Sequence, residues 1–163
     1  MPDKGSGPAF EEIDVTARVF ALAIGIVFLA IGLLGFVPPL VAPAPDLAPD
    51  VTITAYYGYL FGFLPVNYFA NLAHMAMGAW GIAASRGEGG ARAYARTIAV
   101  ISGALAIVGL VPALNTVFGM MPAFGKDVWL HGIAAILAAF FGWIMPRRSI
   151  FAEDDVTLRG ARR

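Results

Sequence analysis

Two stretches of this sequence, YLFGFLPVNYFANLAH (Tyr59–His74) and VFGMMPAFGKDVWLH (Val117–His131), share one pattern. Four residues of the first stretch recur in the second with identical spacing: Phe61, Gly62, Pro65 and His74 correspond to Phe118, Gly119, Pro122 and His131. The chain has only two histidines, and both stand at the same point of the pattern. The pattern therefore predicts two copies of one structural unit, with the histidines at equivalent places.

The composition is typical of an integral membrane protein. Of 163 residues, 59% are hydrophobic and 13% are charged, and the mean hydropathy is +0.75, whereas soluble domains average about 45–50% apolar and about 25% charged residues. Charge-free windows cover residues 19–45, 51–85, 97–125 and 128–146. Each is long enough for the roughly 20 apolar residues that cross a bilayer. The absence of cysteine excludes disulfides and thiolate sites.

These windows predict an all-α membrane protein with four transmembrane helices in a single domain over residues 1–163. The expected spans are residues 16–36, 68–85, 91–111 and 128–145. The two copies of the pattern make this a duplicated helical hairpin. Since each unit contains two spans, the copies have the same orientation, which is a parallel repeat.

Polar residues and prolines mark the ends of the predicted helices. Asn67 or Asn71 is expected to cap the second helix, and Asp127 the fourth. The aromatic stretch before the second helix predicts an interfacial segment, either a short helix or a re-entrant turn that ends at Pro65.

The basic residues predict the orientation in the membrane. Of eleven Lys and Arg residues, all but Lys126 lie before residue 19, between residues 86 and 96, or after residue 146. Cytoplasmic segments carry the excess of basic residues. Both tails, residues 1–13 and 147–163, are therefore expected in the cytoplasm, in a multi-pass membrane protein.

Small residues follow each histidine at helical spacing. Such stripes allow membrane helices to approach closely, so the predicted helix-packing residues are Gly78 and Gly81 below His74, with Ala135, Ala138 and Gly142 below His131. Both histidines are expected to face the inside of the bundle.

The histidines admit two interpretations. In one, each imidazole only hydrogen-bonds a neighbouring segment, and no cofactor is present. In the other, His74 and His131 bind a cofactor, either as axial ligands of a haem or as ligands to the magnesium of a bacteriochlorophyll. No catalytic residue and no metal-ion site is predicted, because two histidines are too few when the outward carboxylates are Asp46, Asp50 and Asp127.

The leading functional interpretation is a non-enzymatic accessory or structural subunit that packs against other integral membrane subunits, for example of a respiratory or photosynthetic complex. A haem- or pigment-binding protein is the alternative, and a small transporter or membrane enzyme is a third. Expected partners are membrane proteins and lipids, and no basic patch for nucleic acid is present. The predicted partner-contact residues are aromatic: Tyr56, Tyr57, Tyr59, Phe61 and Phe63.

Three motifs carry a family resemblance. The segment LFGFLPVN, the following NLAH with His74, and the triplet WLH at Trp129–His131 resemble a family of small bacterial four-helix membrane proteins catalogued as a domain of unknown function. The resemblance covers roughly Arg18 to Trp143. It implies the four-span fold, a location in the bacterial inner membrane and no particular activity.

Overall fold

The computed structural model describes residues 15–87 and 89–145. The helices are α1 (Val15–Leu34), α2 (Tyr68–Ala84), α3 (Gly90–Leu110) and α4 (Lys126–Ala139), which continues as a π-helical turn over Phe140–Ile144. Three short strands, β1 (Val41–Ala42), β2 (Gly58–Leu60) and β3 (Leu64–Val66), form a sheet between α1 and α2 in the chain. The predicted cytoplasmic tails, residues 1–13 and 147–163, lie outside the described residues.

The protein is mostly helical, and its helices lie within a few residues of the predicted spans. The helices over Thr16–Leu34, Gly90–Leu110 and Lys126–Ile144 are long and apolar enough to cross a membrane. These three helices are consistent with a membrane protein. α2 has 17 residues, which is about 25 Å at 1.5 Å per residue, and it is shorter than these three helices, which have 19 to 21 residues.

The aromatic segment before α2 is a β-hairpin, so the short helix, one of its two predicted forms, is wrong. β2 lies in the centre of the sheet and pairs antiparallel with β1 and with β3. Pro65 lies opposite Tyr59 on the edge strand β3, where a missing backbone N–H is tolerated. The strands are only two or three residues long, which is too short for a period-2 pattern to distinguish them from a helix.

Asn67 is the N-cap of α2 and ties two loops to it. Its Oδ1 accepts a hydrogen bond from the amide of Ala70 at 3.0 Å. Its side-chain amide donates to the carbonyl oxygens of Ile53 and Met120, at 3.0 and 2.8 Å. The loop before β2 and the loop before α4 are therefore both held at the start of α2.

The start of α4 differs from the prediction. The helix begins at Lys126, directly after Gly125, whose φ of 65° lies in the left-handed region. Asp127 is in the first turn, and its side chain is directed to His131. Its predicted role as the helix cap is wrong, because the N-cap is Gly125, two residues earlier.

The helices pack chiefly as two hairpins, α1 against α2 and α3 against α4. Glycines allow close backbone approach in the first hairpin. A Cβ on Gly25 would lie 2.8 Å from the amide nitrogen of Ile82, and a Cβ on Gly78 would collide with the backbone of Leu29. The hairpins meet around large buried side chains, among them Phe28 and Tyr94.

Arginines mark the end of the bundle opposite the sheet. Arg18 Nε donates to the carbonyl oxygen of Ser85 at 2.7 Å, and Arg96 Nε donates to that of Gly142 at 2.9 Å. Both acceptors lie at helix C-termini, where cations stabilise unpaired carbonyl groups. We call this the arginine end, and the end that carries strands β1–β3 the sheet end.

Candidate functional site: a buried histidine pair between the hairpins

The two histidines meet in the interior of the bundle near the sheet end. His74 lies in the second turn of α2 and His131 in the second turn of α4. Their ring centroids are 5.7 Å apart, and the ring planes are 15° from parallel. Each residue is only 3% exposed. The structure thus brings together two residues that the sequence placed at equivalent points of separate units.

Phe28 of α1 forms an apolar wall of this site. Its ring centroid lies 5.6 Å from that of His74 and 6.1 Å from that of His131. The Phe28 side chain is fully buried. Water is therefore kept from the side of the imidazoles that Phe28 covers.

The hydrogen bond of His74 determines its tautomer. Nδ1 lies 2.8 Å from the carbonyl oxygen of Ala70. Because a carbonyl can only accept, Nδ1 carries the hydrogen and Nε2 carries a lone pair in the neutral ring. Among the residues that the structure describes, no hydrogen-bond partner reaches this Nε2 atom.

His131 lies between a carboxylate and a hydroxyl. Its Nε2 is 3.5 Å from Oδ2 of Asp127, one helical turn earlier on α4. Its Nδ1 is 3.3 Å from Oγ of Ser102 on α3. Asp127 is 3% exposed, and within the described ranges its Oδ1 has no hydrogen-bond partner. Buried carboxylates are normally paired or bound to a metal.

Asn71 adds to the buried polar groups of α2. It is fully buried, and in the described part of the chain neither its Oδ1 nor its Nδ2 has a hydrogen-bond partner. A Cβ on Gly35 would collide with this amide. Together with His74 and Asp127, Asn71 supplies all the unpartnered buried side-chain atoms of the described residues. Each such atom costs about 1–3 kcal/mol, so each calls for an explanation, which a bound ion or a functional role can supply.

Three of these residues have the donor atoms of a metal site. One ligand atom each from His74, Asp127 and His131 lies within 4.8 Å of the others. The sequence pattern indicates the histidines but not Asp127, whose predicted role is that of a helix cap. The available signal was its spacing, because residues at i and i+4 of a helix share a face.

The haem and bacteriochlorophyll alternatives remain predictions, and this geometry does not favour them. Both imidazoles are buried, and Phe28 packs against both rings. A macrocycle is much wider than an imidazole and needs an open face on its axial ligand.

The predicted packing residues all lie between helices. A Cβ on Gly81 would lie 2.7 Å from the ring of Tyr94, and one on Gly142 would lie 3.0 Å from Cγ of Arg96. Gly78 contacts α1, and Ala135 faces Gly103 of α3. Ala138 is fully buried.

The predicted partner-contact residues divide into two groups. Tyr56, Phe61 and Phe63 are exposed, whereas Tyr57 and Tyr59 are half-buried in the sheet end. Tyr57 donates its hydroxyl hydrogen to the carbonyl oxygen of Pro49 at 2.8 Å. Partial burial, with smaller contributions from Tyr59 and Asp50, raises the pKa of Tyr57 above its ordinary value of 10. The phenol therefore stays protonated and keeps this bond.

An apolar groove lies between α1, α4 and the turn that joins β2 to β3. It has a volume of about 490 Å³. Its lining combines aliphatic residues of α1 with Phe61 and Phe63 of the turn and Trp129 of α4. Lys126 is the charged residue of the lining, and its Nζ lies 5.4 Å from the ring centroid of Phe63.

Comparison with known proteins identifies a family. No curated protein and no solved structure matches the chain significantly. One family model matches residues 18–144, which include all four helices except the first residues of α1. The chain therefore belongs to the family described as a domain of unknown function, DUF4383.

Proposed function

We propose that this protein is a non-enzymatic integral membrane protein that docks, as an accessory subunit, on a larger membrane protein of the bacterial inner membrane. The observation that carries the proposal is the apolar groove with two exposed phenylalanines at its edge. Phe61 is 64% exposed and Phe63 is 60% exposed, and both line the groove. Aromatic side chains are enriched in the cores of protein interfaces.

Backbone strain at Phe61 supports a functional role for its ring. Its φ is 53°, which is a genuine outlier for a bulky residue. Such strain costs of order 1–3 kcal/mol and concentrates at functional sites. Phe118, at the equivalent point of the second stretch, also has positive φ, 57°, and is 80% exposed. Folding therefore holds two large rings outside the core at a cost in stability.

Lys126 indicates the chemistry of the partner. It is the one basic residue that the sequence assigns to the outward side, and it stands at the edge of the apolar groove. A transmembrane helix of another subunit fits this surface if it carries a carboxylate near its outer end. Such a helix would bury the groove lining and pair its charge with Lys126.

The proposed architecture has four spans, formed by two hairpins of like orientation, with both termini in the cytoplasm and the sheet end outward. Equivalent contacts support the duplication. Arg18 and Arg96 make the same type of hydrogen bond, from Nε to the carbonyl oxygens of Ser85 and Gly142. Those two acceptors are separated along the chain by the same interval as His74 and His131. The close packing of α2 along α1 supports a span at α2 as well.

Site-specific photo-crosslinking in the native membrane tests the docking proposal. A photoreactive amino acid replaces Phe63 in the groove, and a matched variant carries it at Val100 of α3, which is also exposed but does not line the groove. We expect Phe63 to give one discrete protein adduct, identified by mass spectrometry as an integral membrane protein. Val100 should give only lipid adducts.

Charge reversal provides the second arm of this experiment. Lys126→Glu should abolish the adduct from Phe63, and a carboxylate-to-lysine change in the crosslinked helix should restore it. Adducts only with lipid from both positions, or a protein adduct that is unaffected by Lys126→Glu, would contradict the proposed partner.

A further inference from the structure

We infer that His74, Asp127 and His131 form a binding site for a divalent first-row transition-metal ion, with Zn²⁺ as the representative ion. This inference is independent of the proposed docking function. The three side chains come from both hairpins, His74 from α2 and the other two from α4. A bound ion would therefore join the hairpins at the sheet end.

Unpartnered lone pairs are the first observation. Nε2 of His74 has its lone pair free, since Nδ1 donates to the carbonyl oxygen of Ala70. Oδ1 of Asp127 is likewise without a hydrogen-bond partner among the described residues. His74 and Asp127 are each only 3% exposed. A cation between these atoms would satisfy both.

The supporting hydrogen bonds are those of histidine ligands in metal sites. A metal-bound imidazole donates its second ring N–H to a carbonyl, carboxylate or other oxygen, which fixes its orientation. Ala70 provides this acceptor for His74 at 2.8 Å. Ser102 Oγ lies 3.3 Å from Nδ1 of His131. When Nδ1 of His131 donates its hydrogen to this oxygen, Nε2 carries the lone pair that can bind the ion.

The distances suit a small ion. The three ligand atoms lie within 4.8 Å of one another. In a tetrahedral site with metal–nitrogen bonds of about 2.0–2.1 Å, neighbouring ligand atoms are about 3.4 Å apart. Rotations of the three side chains that bring these atoms closer by about 1.4 Å or less would therefore complete the site.

The donor set selects the class of metal. Imidazole suits zinc, copper, iron and nickel, whereas Mg²⁺ and Ca²⁺ prefer oxygen ligands. Two imidazoles and one carboxylate leave one position of a tetrahedral ion open. One carboxylate also offsets half of the ion's charge. In the alternative, the site binds no ion, and Asp127 and His131 form a buried pair.

Metal binding by the full-length protein tests the inference. The protein is purified in mild detergent with its affinity tag removed, stripped with a chelator and titrated with Zn²⁺ by calorimetry. We expect one ion per chain. His74→Ala, His131→Ala and Asp127→Asn should each weaken binding by about 100-fold or more, and Ser102→Ala by about 10–100-fold, as for partners that orient a ligand. Asp50→Asn, at an exposed carboxylate in the same end of the molecule, should bind like wild type.

A spectroscopic measurement on wild type keeps the test valid if a variant does not fold. X-ray absorption of the zinc-loaded protein should show two imidazoles in the coordination shell. A wild-type protein that binds no stoichiometric zinc, a shell without imidazole, or folded His74→Ala and Asp127→Asn variants that bind normally would each overturn the site and leave only the buried pair.

Discussion

His74 and His131 lie in different hairpins, yet their rings face each other at 5.7 Å and within 15° of parallel. This pairing requires α2 and α4 to stand at the same depth with the same faces turned inward. Asp127 is near His131, and Ala70, at the equivalent position before His74, provides a carbonyl oxygen instead of a carboxylate. Position i−4 from each histidine therefore carries a different chemistry, a carboxylate before His131 and an alanine before His74.

Zinc should stabilise the protein against unfolding. An ion that binds only the folded state adds about 2.7 kcal/mol when its free concentration is 100 times the dissociation constant. The measurement is unfolding in detergent with a chelator and with buffered Zn²⁺, followed by circular dichroism. The Asp127→Asn variant should lose most of this stabilisation. An equal effect of zinc on both proteins would place the ion elsewhere.

Replacement of glycine by alanine should have opposite effects at two helical positions. At Gly78 the new methyl group would collide with the backbone of Leu29, so α1 and α2 must separate. Overpacking of this kind costs about 1–3 kcal/mol. At Gly132 a Cβ meets nothing within 4 Å, and alanine should be neutral or stabilising by up to about 1 kcal/mol.

Unfolding equilibria of these two variants check the packing of the first hairpin. If Gly78→Ala is as stable as Gly132→Ala, the close approach of α1 and α2 is not a feature of the folded protein.

Asn67 should be important for the stability of the sheet end. Asn67→Ala removes the cap of α2 and the donors to the carbonyl groups of Ile53 and Met120. We expect a loss of about 1–3 kcal/mol. Asn67→Ser keeps a cap acceptor and should recover about 1 kcal/mol of it. Limited proteolysis should cut the loop before α4 faster in Asn67→Ala than in Asn67→Ser. Equal cutting of the two variants would show that the cap contributes little.

The helices were predictable from the sequence because their signals are local. Long charge-free windows and prolines located them to within a few residues, and Asn67 was one of the two predicted caps of α2. The histidine pair could be anticipated because its two members occupy equivalent places in a repeated pattern. Signals that extend over many residues make such predictions reliable.

The sheet and the role of Asp127 could not be predicted in the same way. A strand such as Gly58–Leu60 is too short to show a period, and its pairing with Val41–Ala42 is a long-range contact. Asp127 looked like a helix cap because aspartate favours that position. Its contact with His131 depends on where α4 begins, and Gly125 with its positive φ determines that start.

Replacement of Phe61 should raise the stability of the protein and weaken its docking, because it relieves backbone strain and removes an exposed ring. Asparagine adopts positive φ more readily than phenylalanine, so Phe61→Asn should stabilise the isolated protein by up to about 1 kcal/mol. The same change removes an exposed ring from the groove edge and should reduce the crosslink from Phe63 several-fold. A more stable protein with an undiminished crosslink would show that the Phe61 ring does not contribute to docking. Unfolding in detergent and crosslink yield are measured on the same preparation.

We propose that both hairpins have the same orientation in the membrane, and cysteine labelling tests this most directly. The chain has no cysteine, so single cysteines can be placed at exposed residues in three loops: Asp46, Gly87 and Ala113. With a membrane-impermeant maleimide applied from outside, we predict labelling at Asp46→Cys and Ala113→Cys, and at Gly87→Cys only after permeabilisation. Labelling of Asp46→Cys and Gly87→Cys from the same side would show that α2 does not span the membrane, and would contradict the account.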